Sequence, residues 1–402
     1  MRHAAWCLVL LAPGLALAEH GGKVGTVEPA SRATPVIGGT NALQGKWPDV
    51  AAVNIQNTQA CTGTLIAPTV VITAGHCVTP PPTPNSVLLG TASLDRPADG
   101  ETIPVKMSIE YPNSQTSEDV GILILTRAAT ETPRPIASGW ARLEITNAAA
   151  VQFVGYGAID MAGNTYIPQL QEATSTITDF DCTTSSGCNA AAKPNGELGA
   201  GGMGIDTCPG DSGGPMYLTT SFGTFLAGVT SRSYDNARFA CSEGGIYERP
   251  DKIVDWIDQV TGVKVARAPE PTADPIDVVR GDGAESMITA NDPKSDAHTF
   301  AIATPPAHGS AVVRADGRVR VCTDPSVAGT DKVVVTVTDK ADANRHVDVT
   351  IPIMIEDAAP GSNCDVNAFG GSAGGGCCDS GRGAGGAIPL SIVVLMVLRR
   401  RR

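Results

Sequence analysis

The chain has 402 residues, more than one ordinary domain contains, so its length predicts two or three domains. An apolar content of 42% is enough for hydrophobic cores, while a formal net charge of −12 argues against the basic surface that nucleic-acid binding requires. The composition is typical of a soluble, acidic protein.

Residues 1–18 predict a secretory signal peptide. A basic start is followed by an apolar run from Ala4 to Leu17 and by small residues that place the cleavage site after Ala18. A buried strand is the alternative for this run. Because Cys7 leaves with the signal, ten of the 11 cysteines enter an oxidising compartment, where disulfides persist.

Residues 36–264 predict an antiparallel all-β domain. Short apolar or alternating runs such as TLIAPTVVITA and AVQFVGYG are separated by glycine, proline and asparagine. The domain closes with RPDKIVDWIDQVTG, in which Ile253, Trp256, Ile257 and Val260 recur at helical spacing. A single amphipathic helix is therefore expected at its end.

A second β domain is predicted after a proline-rich linker at 265–275. Residues 276–357 alternate apolar and polar side chains with turns at regular spacing, as in a small β-sandwich. This stretch resembles the Ig-like or cadherin-like modules repeated in bacterial surface proteins. Asp292 and Asp296 are either turn formers or ligands for Ca²⁺, and the pattern favours turn formers, so no metal site is predicted.

The last residues predict a sorting tail. A Gly/Cys-rich linker at 358–386 precedes a hydrophobic helix and an arginine cluster at 387–402. The apolar stretch rises roughly 22 Å as a helix, which is short for a hydrocarbon core of about 30 Å. The tail resembles C-terminal sorting signals of some Gram-negative bacteria, which implies removal by a sorting protease and attachment through Cys377 or Cys378. A single-pass anchor is the alternative.

Three distant segments of the first domain carry the residue types that acyl transfer from a peptide requires. TAGHC places His76 beside a cysteine after an apolar strand, where it suits a general base. SEDVGILIL places Asp119 ahead of an apolar strand, where a carboxylate can be buried against an imidazole. CPGDSGGP offers Ser212 as nucleophile, with the N–H groups of Gly210 and Ser212 as oxyanion donors. Taken singly, a histidine is more often structural, and an acid at a strand start is usually a solvated turn residue.

These motifs, in the order His76, Asp119, Ser212, resemble a trypsin-like serine protease of the chymotrypsin fold. The resemblance runs from VIGGTNALQGKWPDVAAV to GGIYERPDKIVDWI. It implies an all-β architecture, a chymotrypsin-like double β-barrel followed by the small Ig-like β-sandwich. It also implies that the triad lies in the cleft between the barrels, with His76 accepting the Ser212 proton and Asp119 orienting the imidazole.

The resemblance implies activation by proteolysis. Val36 would become a new N-terminus whose ammonium pairs with Asp211, so residues 19–35 would be a propeptide removed by an activating protease. An uncompensated buried charge costs roughly 3–5 kcal/mol, which would keep the uncut form inactive. Pro35 precedes Val36 and the nearest basic residue is Arg32. Activation therefore needs another protease, a trimming step or an unusual route.

The resemblance also implies a specificity pocket formed by Asp206, Ser231 and Gly245, with Asp206 at its base selecting Arg or Lys. A loop acid is the alternative for Asp206. The sequence SRS replaces the family's usual Ser-Trp-Gly, and Arg232 would weaken the basic preference if it turned toward Asp206.

The cysteines fit the same resemblance. Cys61 is expected to pair with Cys77, Cys208 with Cys241, and Cys182 with Cys188, because Gly199 stands where the family usually has a partner cysteine. Cys322 and Cys364 are a further candidate pair.

The sequence thus predicts a secreted or surface-held serine endopeptidase, made as a zymogen, that cuts protein or peptide substrates after Arg or Lys without a cofactor or metal. The sequence predicts no nucleic-acid partner for this protein and at most a transient or surface association with a membrane. The alternatives are an inert adhesion or scaffold protein with a protease-like domain, and an active protease with non-tryptic specificity.

Overall fold

The computed structural model describes residues 36–79, 81–112, 114, 119–189, 196–361 and 364–370. The predicted signal peptide, propeptide and hydrophobic tail lie outside these residues. The chain divides into two compact units. The first runs up to Ile136 and again over Ile145–Ala266, and the second comprises Ala137–Glu144 and the chain from Arg267 onward. Within the described residues, no helix has the length and apolar character needed to cross a bilayer.

The first unit begins with a closed six-stranded barrel. Its strands follow a short strand β1, and the seven are β1 (Thr40–Asn41), β2 (Val50–Ile55), β3 (Thr58–Ala67), β4 (Val70–Ala74), β5 (Ser86–Leu89), β6 (Glu101–Glu110) and β7 (Val120–Leu125). The barrel order is β2-β3-β4-β7-β6-β5, with antiparallel neighbours. Leu65, Val71, Leu89 and Leu123 fill its interior. Strand β4 is buried along its whole length, which explains why four of its five residues are apolar.

A second barrel completes the first unit. After helix α1 (Gly139–Arg142), which belongs to the second unit, the chain forms β8 (Ala150–Gly155), β9 (Gln171–Asp179), β10 (Glu197–Ala200), β11 (Pro215–Thr220), β12 (Gly223–Ser233), β13 (Gly245–Glu248) and helix α2 (Val254–Thr261). The strand order is β9-β10-β13-β12-β11-β8, and the pairing of β8 with β9 closes the ring, while β1 adds to β9. Helix α2 lies where the helical spacing predicts it, and Gly262 ends it with a left-handed φ of 70°.

The second unit is a sandwich of two four-stranded sheets. Its strands are β14 (Thr272–Ala273), β15 (Ile276–Val279), β16 (Gly283–Thr289), β17 (His298–Thr304), β18 (Gly309–Val313), β19 (Arg318–Thr323), β20 (Gly329–Asp339) and β21 (His346–Glu356). The sheet orders are β14-β16-β19-β18 and β15-β21-β20-β17. In β21 the buried side chains Val349, Ile351, Ile353 and Ile355 alternate with exposed ones, because successive strand residues face opposite sides. The predicted all-β class, double barrel followed by sandwich, is confirmed.

The unit boundaries differ from the predicted domains at residues 137–144. This segment, between the two barrels in sequence, folds as part of the second unit. Trp140 is fully buried there, and its indole Nε1 donates to the Ala290 carbonyl at 2.7 Å. The guanidinium of Arg345 lies 5.1 Å from the ring centroid. The burial of this aromatic side chain accounts for the placement of α1.

The stretch predicted as a linker is, from Arg267 onward, also part of the second unit. It contains β14, which pairs with β16, and Ala268 is buried. In the turn after β16, Asp292 accepts a hydrogen bond from Arg345 at 2.7 Å, so this acid has a side-chain partner.

Candidate active site

His76 and Asp119 meet at the end of the first barrel. Strand β4 leads into a short 3-10 turn at Gly75–Cys77, and a disulfide from Cys77 to Cys61 ties that turn to β3. The His76 backbone N–H donates to Oδ1 of Asp119 at 2.8 Å, and its Nδ1 lies 2.8 Å from Oδ2. Two hydrogen bonds to one carboxylate fix both the backbone and the ring of the histidine.

A third group holds the same carboxylate. The Ser231 hydroxyl, on β12, donates to Oδ2 of Asp119 at 2.8 Å. Burial raises the pKa of Asp119, but the hydrogen bonds and charge of His76 and the bond from Ser231 outweigh it and hold the pKa below its ordinary value. The carboxyl group is therefore ionised at neutral pH and orients Nδ1 as a donor.

Ser212 lies on a loop held by both barrels. Its carbonyl accepts a hydrogen bond from the Thr62 N–H of β3 at 2.9 Å, and the next residue, Gly213, donates to the Thr230 carbonyl of β12 at 2.7 Å. The disulfide between Cys208 and Cys241 fixes the start of the loop. Among the described residues, no hydrogen bond joins Nε2 of His76 to Oγ of Ser212. Catalytic hydrogen bonds are often long before substrate binds.

Two backbone donors stand beside this serine. Gly210 has a φ of 95°, a conformation that glycine adopts without strain. Its carbonyl accepts from Gln59 Nε2 at 3.1 Å and from Thr62 Oγ1 at 2.9 Å, which restrains the loop. Within the described part of the chain, neither the Gly210 N–H nor the Ser212 N–H donates to a protein acceptor. Both remain available to a substrate oxygen. The Gln59 and Thr62 contacts were not visible in the sequence, because nothing in QAC or CTG marks a loop partner.

A cavity of about 210 Å³ opens next to Ser212, and Asp206, Ser231 and Gly245 contribute to its lining. Gly245 keeps this space open, because a Cβ at that position would lie 2.9 Å from the Arg232 carbonyl and 3.6 Å from Oδ1 of Asp206. The three residues that the sequence assigned to the specificity pocket thus come together.

The Asp206 carboxylate is buried, and within the described part of the chain its hydrogen-bond donors are all backbone N–H groups. It accepts hydrogen bonds from the N–H groups of Thr207 at 2.8 Å and of Ser242 and Gly244 at 2.9 Å each. Burial raises the pKa of Asp206 to about 6, even though these donors lower it. Above this pH the cavity holds a negative charge.

Arg232 points away from Asp206. One of its terminal nitrogens lies 3.0 Å from each carboxylate oxygen of Glu197 and 2.9 Å from the Gly187 carbonyl, while the other lies 3.6 Å from Glu248. The guanidinium therefore has two acidic partners on neighbouring strands. Sequence reasoning missed both, since only the strand register brings them to Arg232.

Asp211 is fully buried behind the serine loop. Its carboxylate accepts hydrogen bonds from the N–H groups of Gly157 at 2.7 Å and Cys208 at 2.9 Å, and within the described residues it forms no ion pair. Burial raises the pKa of Asp211 to about 7, and the nearby Asp206 charge adds to the rise. Val36 is also buried, and Ile37 packs against the Cys208–Cys241 disulfide. The segment expected to form the new N-terminus thus lies beside the serine loop.

The other four cysteines among the described residues form two bridges, one spanning 6 positions of sequence and one spanning 42. Cys182 pairs with Cys188, and Cys322 pairs with Cys364. A Cβ on Gly199 would lie 2.4 Å from Ser185 Oγ and 2.7 Å from Tyr234 Oη, so the loop closed by the first bridge packs directly over this glycine.

Comparisons with known proteins identify the family of each unit. Residues 36–257 match the family model described as Trypsin, and residues 266–352 match the bacterial Ig domain model. The chain is 28% identical over 242 residues to the hepatocyte growth factor activator serine protease of Mus musculus, a match that covers 56% of this chain and 36% of that protein. The chain thus spans little more than a third of that relative's length.

A solved structure is also similar. The secreted serine protease VesC from Vibrio cholerae aligns with a TM-score of 0.45 and 21% identity, covering 80% of this chain and 72% of that chain. The Trypsin model alone covers more than half of the chain. Its match, together with the two six-stranded barrels, establishes that the chain belongs to the trypsin family of serine proteases. A bacterial Ig domain follows the protease domain in sequence.

Proposed function

We propose that this protein is a secreted serine endopeptidase that hydrolyses peptide bonds through an acyl-enzyme on Ser212. The observation that carries the proposal is the continuous row of hydrogen bonds from Ser231 through Asp119 to His76. It lies in the same unit as Ser212 and as the N–H groups of Gly210 and Ser212, which have no protein acceptor among the described residues. Inert relatives would be expected to lack a member of this set.

Each residue has a distinct role in this reaction. His76 accepts the Ser212 proton as the hydroxyl oxygen attacks the substrate carbonyl, and then gives that proton to the leaving amine. Asp119 orients the imidazole and stabilises its charged form. The Gly210 and Ser212 N–H groups stabilise the oxyanion, an effect that typically changes the rate by roughly 10²–10³ per donor. Water then releases the acyl group by the same path.

We propose cleavage after Arg or Lys. The support is the buried Asp206 carboxylate in the cavity beside Ser212, where an enclosed anion favours a cationic partner. The alternative of non-tryptic specificity required Arg232 to neutralise Asp206. The ion pair of Arg232 with Glu197 and its contact with Glu248 argue against that role.

We further propose that the chain is made as a zymogen. The support is the buried Asp211, whose raised pKa reflects a site that an ammonium group would complete. The activating protease, the export signal and the sorting tail belong to this proposal as well. The disulfides are consistent with export, because such bonds persist in oxidising compartments.

Hydrolysis assays test the function and the specificity together. Chain processed to begin at Val36 should cleave Arg- and Lys-containing peptides far faster than matched Leu or Ala peptides. Asp206→Ser should remove the basic preference while leaving slow cleavage of uncharged peptides, and Ser212→Ala should remove all cleavage. No cleavage of any peptide by the processed chain would favour the inert scaffold instead.

A further inference from the structure

A second chain of hydrogen bonds runs from Arg232 through Ser231 to the carboxylate of Asp119. Nη1 of Arg232 donates to the Ser231 hydroxyl at 3.2 Å, and that hydroxyl donates to Asp119 at 2.8 Å. The register of β12 against β13 shifts between Thr230 and Arg232. This irregularity lets the adjacent side chains of Ser231 and Arg232 contact each other. The guanidinium is therefore two hydrogen bonds from the triad.

Two buried acids hold this guanidinium. Glu197 on β10 and Glu248 on β13 are directly opposite each other, and both are at most 2% exposed. Glu197 shares its two oxygens with Arg232, whereas both carboxyl oxygens of Glu248 lack a hydrogen-bond partner among the described residues. A buried ionised carboxylate without hydrogen bonds is costly, and such a group takes up a proton instead.

The charged groups around Glu248 also favour the protonated, uncharged form of its carboxyl group. Glu197 faces it from β10, Arg232 from β12, and Asp119 from the chain just before β7. Burial and the charges of Glu197 and Asp119 raise the pKa of Glu248 well above its ordinary value, although the Asp119 backbone N–H and the Arg232 charge act in the opposite direction. One cation therefore balances one of the two buried glutamates.

We propose that Arg232 is a positioning residue for the triad, held by Glu197 and Glu248, and that it tunes the basicity of His76 through Ser231 and Asp119. This inference rests on the proposed protease function. In this cluster both glutamates are buried, whereas the Arg232 side chain is 38% exposed. A change in the net charge of the cluster shifts the balance between imidazole and imidazolium.

A series of glutamine substitutions that remove single charges tests this coupling. Arg232→Gln leaves Glu197 without a counter-ion but still bonded to the Asn189 N–H, which donates to it at 2.6 Å, so a negative charge remains near the triad. This charge stabilises the imidazolium and should raise the pH midpoint of the acid limb in the inactivation profile by roughly 0.5–1 unit. Glu197→Gln should lower it by a similar amount. The double variant Arg232→Gln/Glu197→Gln is neutral again and should return it to the wild-type value. Glu248→Gln should not move it, because the replaced group carries no charge.

The measurement is the pH profile of inactivation by an uncharged, serine-directed phosphonate. An uncharged probe avoids any contribution from Asp206 to binding, so the acid limb reports His76. Arg127→Gln, which breaks a surface ion pair with Glu101, is the matched control and should leave the limb in place. A shift with Glu248→Gln as large as that with Glu197→Gln, or no return in the double variant, would overturn the proposal.

A second measurement does not depend on catalysis. Because the pKa of Glu248 is raised, the free energy of unfolding should fall as pH rises through that pKa, and Glu248→Gln should lack this fall. The same pH dependence in both proteins would contradict an un-ionised Glu248, even in a variant too unstable for kinetics. If wild-type protein never reacts with the phosphonate, the proposed function fails, whereas this arm still reports on the cluster.

Discussion

At the scale of single residues, Asp206 links pH to substrate choice. Its pKa of about 6 means that the pocket loses its negative charge as pH falls through that value. We expect KM for an Arg peptide to rise steeply below about pH 6, while KM for a Leu peptide stays flat. Parallel pH profiles for the two peptides provide the measurement. Equal changes in both would mean that Asp206 does not contact the substrate cation.

Asp211 makes a separate prediction for the uncut chain. Its pKa is about 7 in the fold against 3.8 for the free group, so its stabilising contribution is complete below pH 3.8 and is lost as pH rises through 7. Asp211→Asn removes this loss.

The uncut Asp211→Asn chain should therefore become more stable than wild type as pH rises from 5 to 8, by on the order of 2 kcal/mol. Urea unfolding at several pH values measures the difference. A difference that does not change with pH would contradict the unpaired, buried carboxyl.

At the scale of elements, a buried ion pair connects the strands of the first unit. Arg134 donates to both oxygens of Asp49, at 2.6 and 3.0 Å, and the Tyr217 hydroxyl on β11 donates to the same carboxylate. Trp47 stacks on Tyr217 with ring centroids 4.8 Å apart. The network joins the chain before β2 to a strand of the other barrel.

Arg134→Met should cost roughly 3–5 kcal/mol of unfolding free energy, because it leaves Asp49 buried without its cation. Arg127→Met, which removes a half-exposed arginine from a surface pair, should cost under about 1 kcal/mol. Denaturant titration of both variants makes the comparison. Similar losses in the two would show that Asp49 gains nothing from Arg134 beyond a surface contact.

Sequence patterns predict strands and helices better than they predict contacts between side chains. Period-two alternation in β21 and the apolar run of β4 were sufficient to predict strands, and helical spacing predicted α2. The side-chain cluster around Arg232 could not be predicted, because Glu197 and Glu248 become neighbours only through the register of β10, β13 and β12. The same limit applies to Gln59, which reaches Gly210 across 151 positions of sequence.

At the scale of the whole molecule, the division into units does not follow the order of the chain. Motifs and composition predicted a protease domain, a linker and a sandwich in succession. The burial of Trp140 among residues of the second unit has no counterpart in its local sequence, GWARLE, which carries neither a linker signal nor a strand pattern.

Trp140→Ala should therefore destabilise the second unit by about 3–5 kcal/mol, the usual cost of removing a buried aromatic side chain. In calorimetry, the thermal unfolding transition of the second unit should move to lower temperature, while that of the first unit should not. Tyr166→Ala, at an exposed aromatic residue of the first unit, serves as control. Unchanged transitions in Trp140→Ala would contradict the assignment of residues 137–144 to the second unit.

The most direct test of the proposed protease is covalent labelling of the chain processed to begin at Val36. Incubation with a serine-directed phosphonate, followed by peptide mass spectrometry, should place one adduct on Ser212, with labelling lost in Ser212→Ala and greatly slowed in His76→Ala. An adduct on another residue, or equal labelling of wild type and Ser212→Ala, would contradict an activated Ser212.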